Sequence, residues 1–386
     1  MCIVTASALA ESRSEILPFA KSLGKQLGDA PALVTFFASS NYDLGEVNET
    51  LRNLYPDAMV LGTTTAGEFT ERADAKNAVA MFAIAGDFEV RGSMAFHLSQ
   101  DVERAVVSAT SSLPRAMDGY SHKTALLFLD PLSCQGDKAT LLASEYFGED
   151  VTLAGGGASG VGSMQGTLCL NRLVASDALA LLVLYTKTPV GVGLSHGHRA
   201  VSEPMRVTRA HGQLVYELDG KPAWDTWVNA TGACHMHELE NLNEDALSRF
   251  LLTYEAGLRD GDHLSLRVPV SRGSAGELGF AGRIPEGSEI WITQTSLEAQ
   301  VESAHLAARQ ARQALNGARV SGALVFDSLC RNIILGNRFD EAVRGIGDEL
   351  GPVPFAGFET HGEIGGFGGR DARFHNTSTV VLAFGS

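Results

Sequence analysis

One segment is written three times along this chain: an apolar run rich in β-branched and aromatic residues, a helical stretch, a second apolar run, and then a glycine cluster flanked by hydroxyls. The copies read Ala32-Leu-Val-Thr-Phe-Phe37 leading to Gly62-Thr-Thr-Thr-Ala-Gly-Glu68, Ala125-Leu-Leu-Phe-Leu-Asp130 leading to Gly155-Gly-Gly-Ala-Ser-Gly160, and Ala323-Leu-Val-Phe-Asp327 leading to Gly357-Phe-Glu-Thr-His-Gly-Glu363. Another apolar run follows each, at 78–85, 178–185 and 379–384. The period is too long and irregular for a solenoid. It points to an α/β fold in which duplicated β-α-β units form two lobes around a shared core, with mixed sheets flanked by helices. Glycines at strand ends serve tight turns, or they let unpaired backbone N–H groups approach a small ligand.

At 386 residues, 45 % apolar and 19 % charged, the chain has ample material to bury and suggests two domains. The glycine, proline and polar stretch between Gly191 and Pro204 lacks a periodic pattern and reads as the link. This places the halves at 1–190 and 205–386. A net charge of −15 without a Lys/Arg cluster argues against a nucleic-acid partner. The longest apolar stretch, Ala178 to Tyr185, is far short of the roughly 20 residues a bilayer requires. The amino terminus lacks a charged-then-apolar signal pattern, so a cytoplasmic protein is expected. Five scattered cysteines without a CxxC pair suit reduced thiols.

Locally, Ser12-Arg-Ser-Glu15 has capping-box spacing ahead of an amphipathic helix, and 44–54, 101–112, 137–147, 244–258 and 297–315 read as further helices. Strands are expected at 32–39, 59–61, 79–85, 89–98, 169–173, 178–185, 264–270, 278–280 and 290–293, with a hairpin at 205–218.

Residues 62–69, the stretch from Gly193 through Ala223, Gly322-Ala-Leu-Val-Phe326 with Cys330-Arg331 and Leu335-Gly336, and 357–365 followed by Phe374-His-Asn-Thr377 together resemble the FIST family across essentially the whole chain. The resemblance implies an amino-terminal and a carboxy-terminal FIST half. It further implies a bacterial sensory protein of signal transduction that binds a small ligand such as an amino acid. With no kinase, receiver or cyclase signature in the chain, output is expected through a separate partner such as a histidine kinase. Some members are haem proteins that sense nitric oxide, which makes haem a possible cofactor here. His361 stands where members commonly carry an aromatic residue, and His198 where Trp or Cys is common.

Glu68 and Glu363 occupy the same place in two copies, each just after a glycine and three residues after a threonine. A carboxylate among neutral hydroxyl and N–H groups suits an ammonium, and a backbone nest with Arg331 suits a carboxylate. The expected ligand-binding set is therefore Thr64, Thr65, Glu68, Gly156, Ser159, Arg331, Thr360 and Glu363. Alternatively, the glutamates cap helices or pair with arginines inside the fold. For haem, His361 is the first candidate ligand and His196 the second; His235-Met-His237 lacks a third metal ligand. Cys134 and Cys330 follow equivalent strands and are the only candidates for a thiol enzyme, but no adjacent base is evident, so small buried packing is the expected role. The glycine run at 155–162 lacks the Gly-Lys-Ser/Thr of a phosphate loop, and no catalytic triad, HExxH or paired-carboxylate pattern stands out. Binding rather than catalysis is expected.

Overall fold

The computed structural model describes residues 2–148, 151–160, 166–232, 243–366 and 371–386. Cys234, His235 and His237 lie outside them.

The repeat seen in the sequence becomes three six-stranded sheets of one design. The first sets Val4–Ala10, Val79–Ala85, Leu33–Ser39 and Met59–Thr65 side by side. The second does so with Phe88–Phe96, Ala178–Thr186, His122–Leu129 and Thr152–Gly157, and the third with Val190–Ser195, Thr379–Gly385, Val320–Ser328 and Phe355–Thr360. In each, the two strands joined by a helix pair in parallel, and the rest pair antiparallel.

Each unit gives away the hairpin that follows its glycine cluster. Glu68–Thr70 with Asp74–Ala75 completes the third sheet, Leu168–Leu170 with Leu173–Ala175 the first, and Glu363–Gly365 with Arg373–His375 the second. The exchange is cyclic. Each of these three sheets is completed by a strand pair from another unit, which covers the strand that would otherwise be its edge with a short hairpin.

One apolar cluster fills the space between the three sheets. At its centre are Phe37, Phe128 and Phe326, which hold equivalent register positions opposite Thr63, Gly156 and Phe358. Phe128 lies 6.5 Å from Phe37 and 5.6 Å from Phe326, and Phe358 fills the remaining gap 4.5 Å from Phe37. The outer faces are covered by helices Arg13–Leu27 with Leu44–Leu54, Val102–Ser111 with Gly136–Phe147, and Leu297–Gln313 with Phe339–Leu350, each pair closing a core of its own. The first helix starts as its capping box requires, with the Glu15 carboxylate accepting from Ser12 N at 3.1 Å.

The second, smaller lobe is an insertion in the third unit, between strand Val190–Ser195 and helix Leu297–Gln313. It holds a nine-stranded sheet and a separate core around Trp224, Trp227, Phe280, Ile290 and Ile292. The architecture is thus the expected α/β one, with mixed sheets flanked by helices, in two lobes.

Several local expectations differ from the structure for physical reasons. The stretch read as a link contains two strands, Val190–Ser195 and His198–Ala200. A Cβ on Gly191 or Gly193 would fall 2.1 Å from Ala311 O or 1.9 Å from Ala307 O, so these glycines mark a strand pressed against a helix backbone rather than a flexible joint. The helix expected over 244–258 stops at Thr253, and Tyr254–Asp260 becomes a strand because it pairs with Glu289–Thr295 on one side and His263–Arg267 on the other. Residues 169–173 belong to a hairpin turning at Asn171 and Arg172. No described helix is long and apolar enough to cross a membrane.

Replacing Phe128 by Ala removes the ring that touches aromatic partners from the other two units, so a loss of about 3–5 kcal/mol is expected in urea unfolding. A loss below about 1 kcal/mol, within the range of surface substitutions, would contradict a common centre.

Candidate ligand-binding site

Three strand-exit loops meet on the axis that relates the units. His361 N donates to Gly157 O (3.1 Å), Ser159 N donates to Thr64 O (3.0 Å), and Ala66 N donates to the Ser159 hydroxyl (3.0 Å), which itself donates to Glu359 O. Glu359 N donates to Gly67 O (2.9 Å), which joins the third unit to the first and closes the ring. Among the described residues, the backbone groups that open strand ends would offer a ligand are spent on one another, and these parts of the loops converge on each other rather than on a hollow. Of the expected set, Thr64, Gly156, Ser159 and Thr360 lie at this ring together with His361, all but His361 buried; an added Cβ on Gly156 would sit 2.7 Å from the Thr360 methyl.

Glu68 and Glu363 occupy equivalent buried nests beside the ring. Glu68 accepts from the hydroxyls of Thr65 and Ser39 and from Ala78 N (3.1 Å). Glu363 accepts from the Thr360 hydroxyl and from Ser378 N (3.1 Å) and Oγ (2.9 Å). In the second unit Asp130 performs the same service, accepting from Asp177 N at 2.8 Å. These carboxyls tie each exit loop to the start of the unit's last strand; Glu68 and Glu363 neither cap a helix nor pair with an arginine, while Asp130 also caps the short helical turn Pro131–Ser133 through Leu132 N. Burial pushes Glu68 up to about 7 and Glu363 to about 8, against the hydrogen bonds that favour ionisation.

Arg331 is fully buried and already engaged. Its guanidinium meets Asp327 at 2.9 Å, Ser303 Oγ at 2.7 Å, Gln300 O at 3.0 Å and the Gln300 amide oxygen. It braces helix Leu297–Gln313 against strand Val320–Ser328, so its charge is balanced inside the fold and a ligand carboxylate would have to displace these partners.

The Glu363 nest continues into the inserted lobe. Glu255, on strand Tyr254–Asp260, accepts from Thr377 Oγ1 at 2.7 Å. The imidazole of His198 stands 3.7 Å from it, with both side chains completely enclosed. Glu255 Oε2 and His198 Nε2 have no hydrogen-bond partner among the described residues. Burial pushes Glu255 up to about 8, with Glu363 adding to the effect, and holds His198 well below its ordinary value. Both are neutral at pH 7. Thr377 has φ 51°, uncommon for a β-branched residue, where the corresponding turns carry Asn77 and Asp177.

The rest of the seam is also polar. Ser265 Oγ is 3.3 Å from His375 Nδ1, His196 Nε2 lies 2.9 Å from Leu264 O, and Arg267 reaches Phe374 O at 3.0 Å and pairs with Asp137. Only two chain crossings join the lobes here, at Ser195–His198 and Gln294–Leu297. A cavity of about 610 Å³ opens beside them, lined by His196 and His198 with Arg199, Gln294, Glu302 and Ser303 among its other walls.

Residues 32–221 match the FIST N domain and 233–366 the FIST C domain. The chain belongs to the FIST family. An uncharacterized protein of Mycobacterium tuberculosis is 27% identical over 382 residues, covering 92% of each chain. An uncharacterized protein of Methanocaldococcus jannaschii is 28% identical over 140 residues, covering 34% of this chain and 26% of its own. Among solved structures, the cyanuic acid hydrolase from A. caulinodans aligns at 9% identity with a TM-score of 0.25, covering 100% of this chain and 99% of that one. FIST domains are associated with sensing in signal transduction, and this is the class of function the match carries.

Within this FIST chain the surroundings of His196 do not fit haem. One ring nitrogen faces the Leu264 carbonyl and the other accepts from His198 N at 3.3 Å, so neither is open to a haem iron. His361 is tied to the ring by its backbone. No group of three or more His, Cys, Asp or Glu able to hold a metal occurs among the described residues. Of the two corresponding cysteines, Cys134 is exposed rather than buried, and burial with Glu255 and Glu363 nearby pushes the Cys330 thiol up to about 12, far from a ready nucleophile.

Sequence reasoning missed Glu255, Thr377 and Glu359 as site residues and noted His198 only as a departure. A signal existed for two of them. Aligning the three copies sets Glu359 against Thr64 and Gly157, and Thr377 against Asn77 and Asp177. Glu255 comes from the insertion, which has no counterpart in the other units.

The buried carboxyls and imidazoles predict a pH profile. Glu68, Glu255, Glu359 and Glu363 titrate at about 7 to 8 in the fold but near 4.5 when unfolded, so their contribution is full below pH 4.5 and lost as pH rises to 8. His196 and His375, held at about 4 and 3, contribute fully above pH 6.5 and lose it as pH falls. The melting temperature should be highest in weakly acidic solution and fall between pH 6.5 and 8, with Glu363→Gln shallowing that fall. A rise from pH 6.5 to 8 would contradict the buried, protonated carboxyls.

Proposed function

We propose that this FIST protein is a sensor that binds a small molecule at the seam between its lobes and passes the occupancy to a separate protein. The observation that carries this reading is the pair of enclosed, unpartnered polar atoms, Glu255 Oε2 and His198 Nε2, at a polar junction bordered by a cavity. Buried polar groups are normally satisfied, and a pair left open across a joint is what an absent hydrogen-bonding partner leaves behind. The two lobes have separate cores, so their relative placement depends on this seam and on two crossings. A molecule that bridges the seam favours one lobe arrangement by its differential binding free energy, typically about 1–3 kcal/mol.

An amino acid is the ligand class in this reading, and a histidine kinase the class of partner. The protein acts by binding and not by turnover, a reading supported by the Cys330 thiol being pushed up to about 12 by burial. Isothermal titration and thermal shift across the common amino acids should give at least one saturable response, strongest in full-length protein and weakened by Glu255→Gln. No heat and no shift for any of them would count against the reading.

A further inference from the structure

The hydrogen-bond roles at the seam can be assigned atom by atom. Thr293 Oγ1 donates its proton to Glu255 O at 3.0 Å, so toward His198 Nδ1, 3.2 Å away, it acts as acceptor. His198 Nδ1 therefore carries the ring hydrogen, and Nε2 presents a bare lone pair. That lone pair faces Glu255 Oε1 at 3.7 Å, too far for a hydrogen bond, and Oε1 already accepts from Thr377 Oγ1. Glu255 Oε2 has no described partner. The one hydrogen that neutral Glu255 carries stands too far from Nε2 to bridge the 3.7 Å gap, and once Glu255 ionises acceptors meet acceptors, so what the seam lacks is a donor within reach of both groups.

The other groups around this point do not supply one. Glu363 is occupied by Thr360 and Ser378, and the Cys330 thiol interacts with Ser328 and Thr377. His196 accepts from His198 N, and Arg331, the cation whose charge is felt at both histidines, is committed to Asp327, Gln300 and Ser303.

We propose that the seam formed by Glu255, His198 and Thr377 is an anchoring site for a primary ammonium group, reached through the cavity at the lobe crossing. The inference rests on the sensor reading above and names the part of the ligand that the seam holds. An ammonium carries three donors on one compact centre, enough to serve His198 Nε2 and the Glu255 carboxylate together. Its charge requires Glu255 to ionise, and the proton leaves the carboxyl for solvent as the ammonium enters, so the seam's net charge is unchanged. Binding is then proton-linked: affinity rises by about fivefold from pH 7 to the Glu255 titration at about 8, and levels off above it. A single water in the same place would satisfy the lone pair while leaving Glu255 protonated.

The test uses the full chain with methylammonium chloride, and tetramethylammonium chloride at equal ionic strength as a cation without N–H donors. Methylammonium should raise the melting temperature saturably where tetramethylammonium does not. Calorimetry in buffers of different ionisation enthalpy should report about one proton released per site at pH 7. Glu255→Gln, close in shape and free of the carboxyl charge, should abolish the proton release and weaken methylammonium at least tenfold, and His198→Phe should weaken it without changing the far-ultraviolet spectrum. Equal responses to the two cations, binding without proton release, or unchanged affinity in both variants would overturn the proposal. An amino acid that binds wild type and variants alike would overturn the anchor and leave the sensor standing. Methylammonium binding with no amino-acid response would do the reverse.

Discussion

The cyclic exchange of hairpins is the constraint on which the rest depends. A strand pair that leaves its own unit to complete another's sheet makes every unit's backbone hydrogen bonding conditional on the other two. The ring formed by Gly157, His361, Ser159, Thr64, Ala66, Gly67 and Glu359 fastens the crossing point, and the cluster of Phe37, Phe128, Phe326 and Phe358 fills the space below it. Neither can be built from one unit alone. The repeated glycine clusters are therefore explained by assembly: small residues and hydroxyls let three loops close upon one another at the axis, and Glu68, Asp130 and Glu363 fix each loop to the strand that returns.

Against this rigid body the inserted lobe presents a different kind of contact. Its own core is apolar, but its junction with the body is a run of hydroxyls, imidazoles, carboxyls and the Arg267–Asp137 pair. Interfaces of this composition hold domains in place with a modest free-energy margin and allow them to move, whereas the three-sheet core does not. Enclosed carboxyls without a facing cation sharpen the contrast, because any change in their ionisation is felt first where they have the fewest partners.

Much of the body was legible in the sequence. Three apolar runs of the form Ala-Leu-Val/Leu, each carrying phenylalanine, did mark the central strands, and helices 44–54 and 136–147 lie within a residue of their periodic signals. What pattern could not convey was where each hairpin goes, since strand exchange leaves no trace in local periodicity. Gly191 and Gly193 looked like a linker because sequence alone cannot separate a glycine that bends from one that lets a helix approach. Tyr254 to Leu258 looked helical because its apolar spacing fits both periods, and the flanking strands decided the outcome. At the site, Glu68 and Glu363 were visible through repetition, while Glu255 was not, because the residue that opens the seam arrives from an insertion found in one unit only.

Hydrogen–deuterium exchange of the intact protein, corrected for the intrinsic pH dependence of the amides, addresses the division between a locked axis and a yielding seam most directly. The account predicts that the amides of Ala66, Ser159 and His361 remain among the slowest at pH 7 and at pH 9. Those of Val268, Thr377 and Ser378 should exchange faster, and faster again at the higher pH. Ring amides that open as readily as the seam, or a seam as slow as the ring at both pH values, would contradict it.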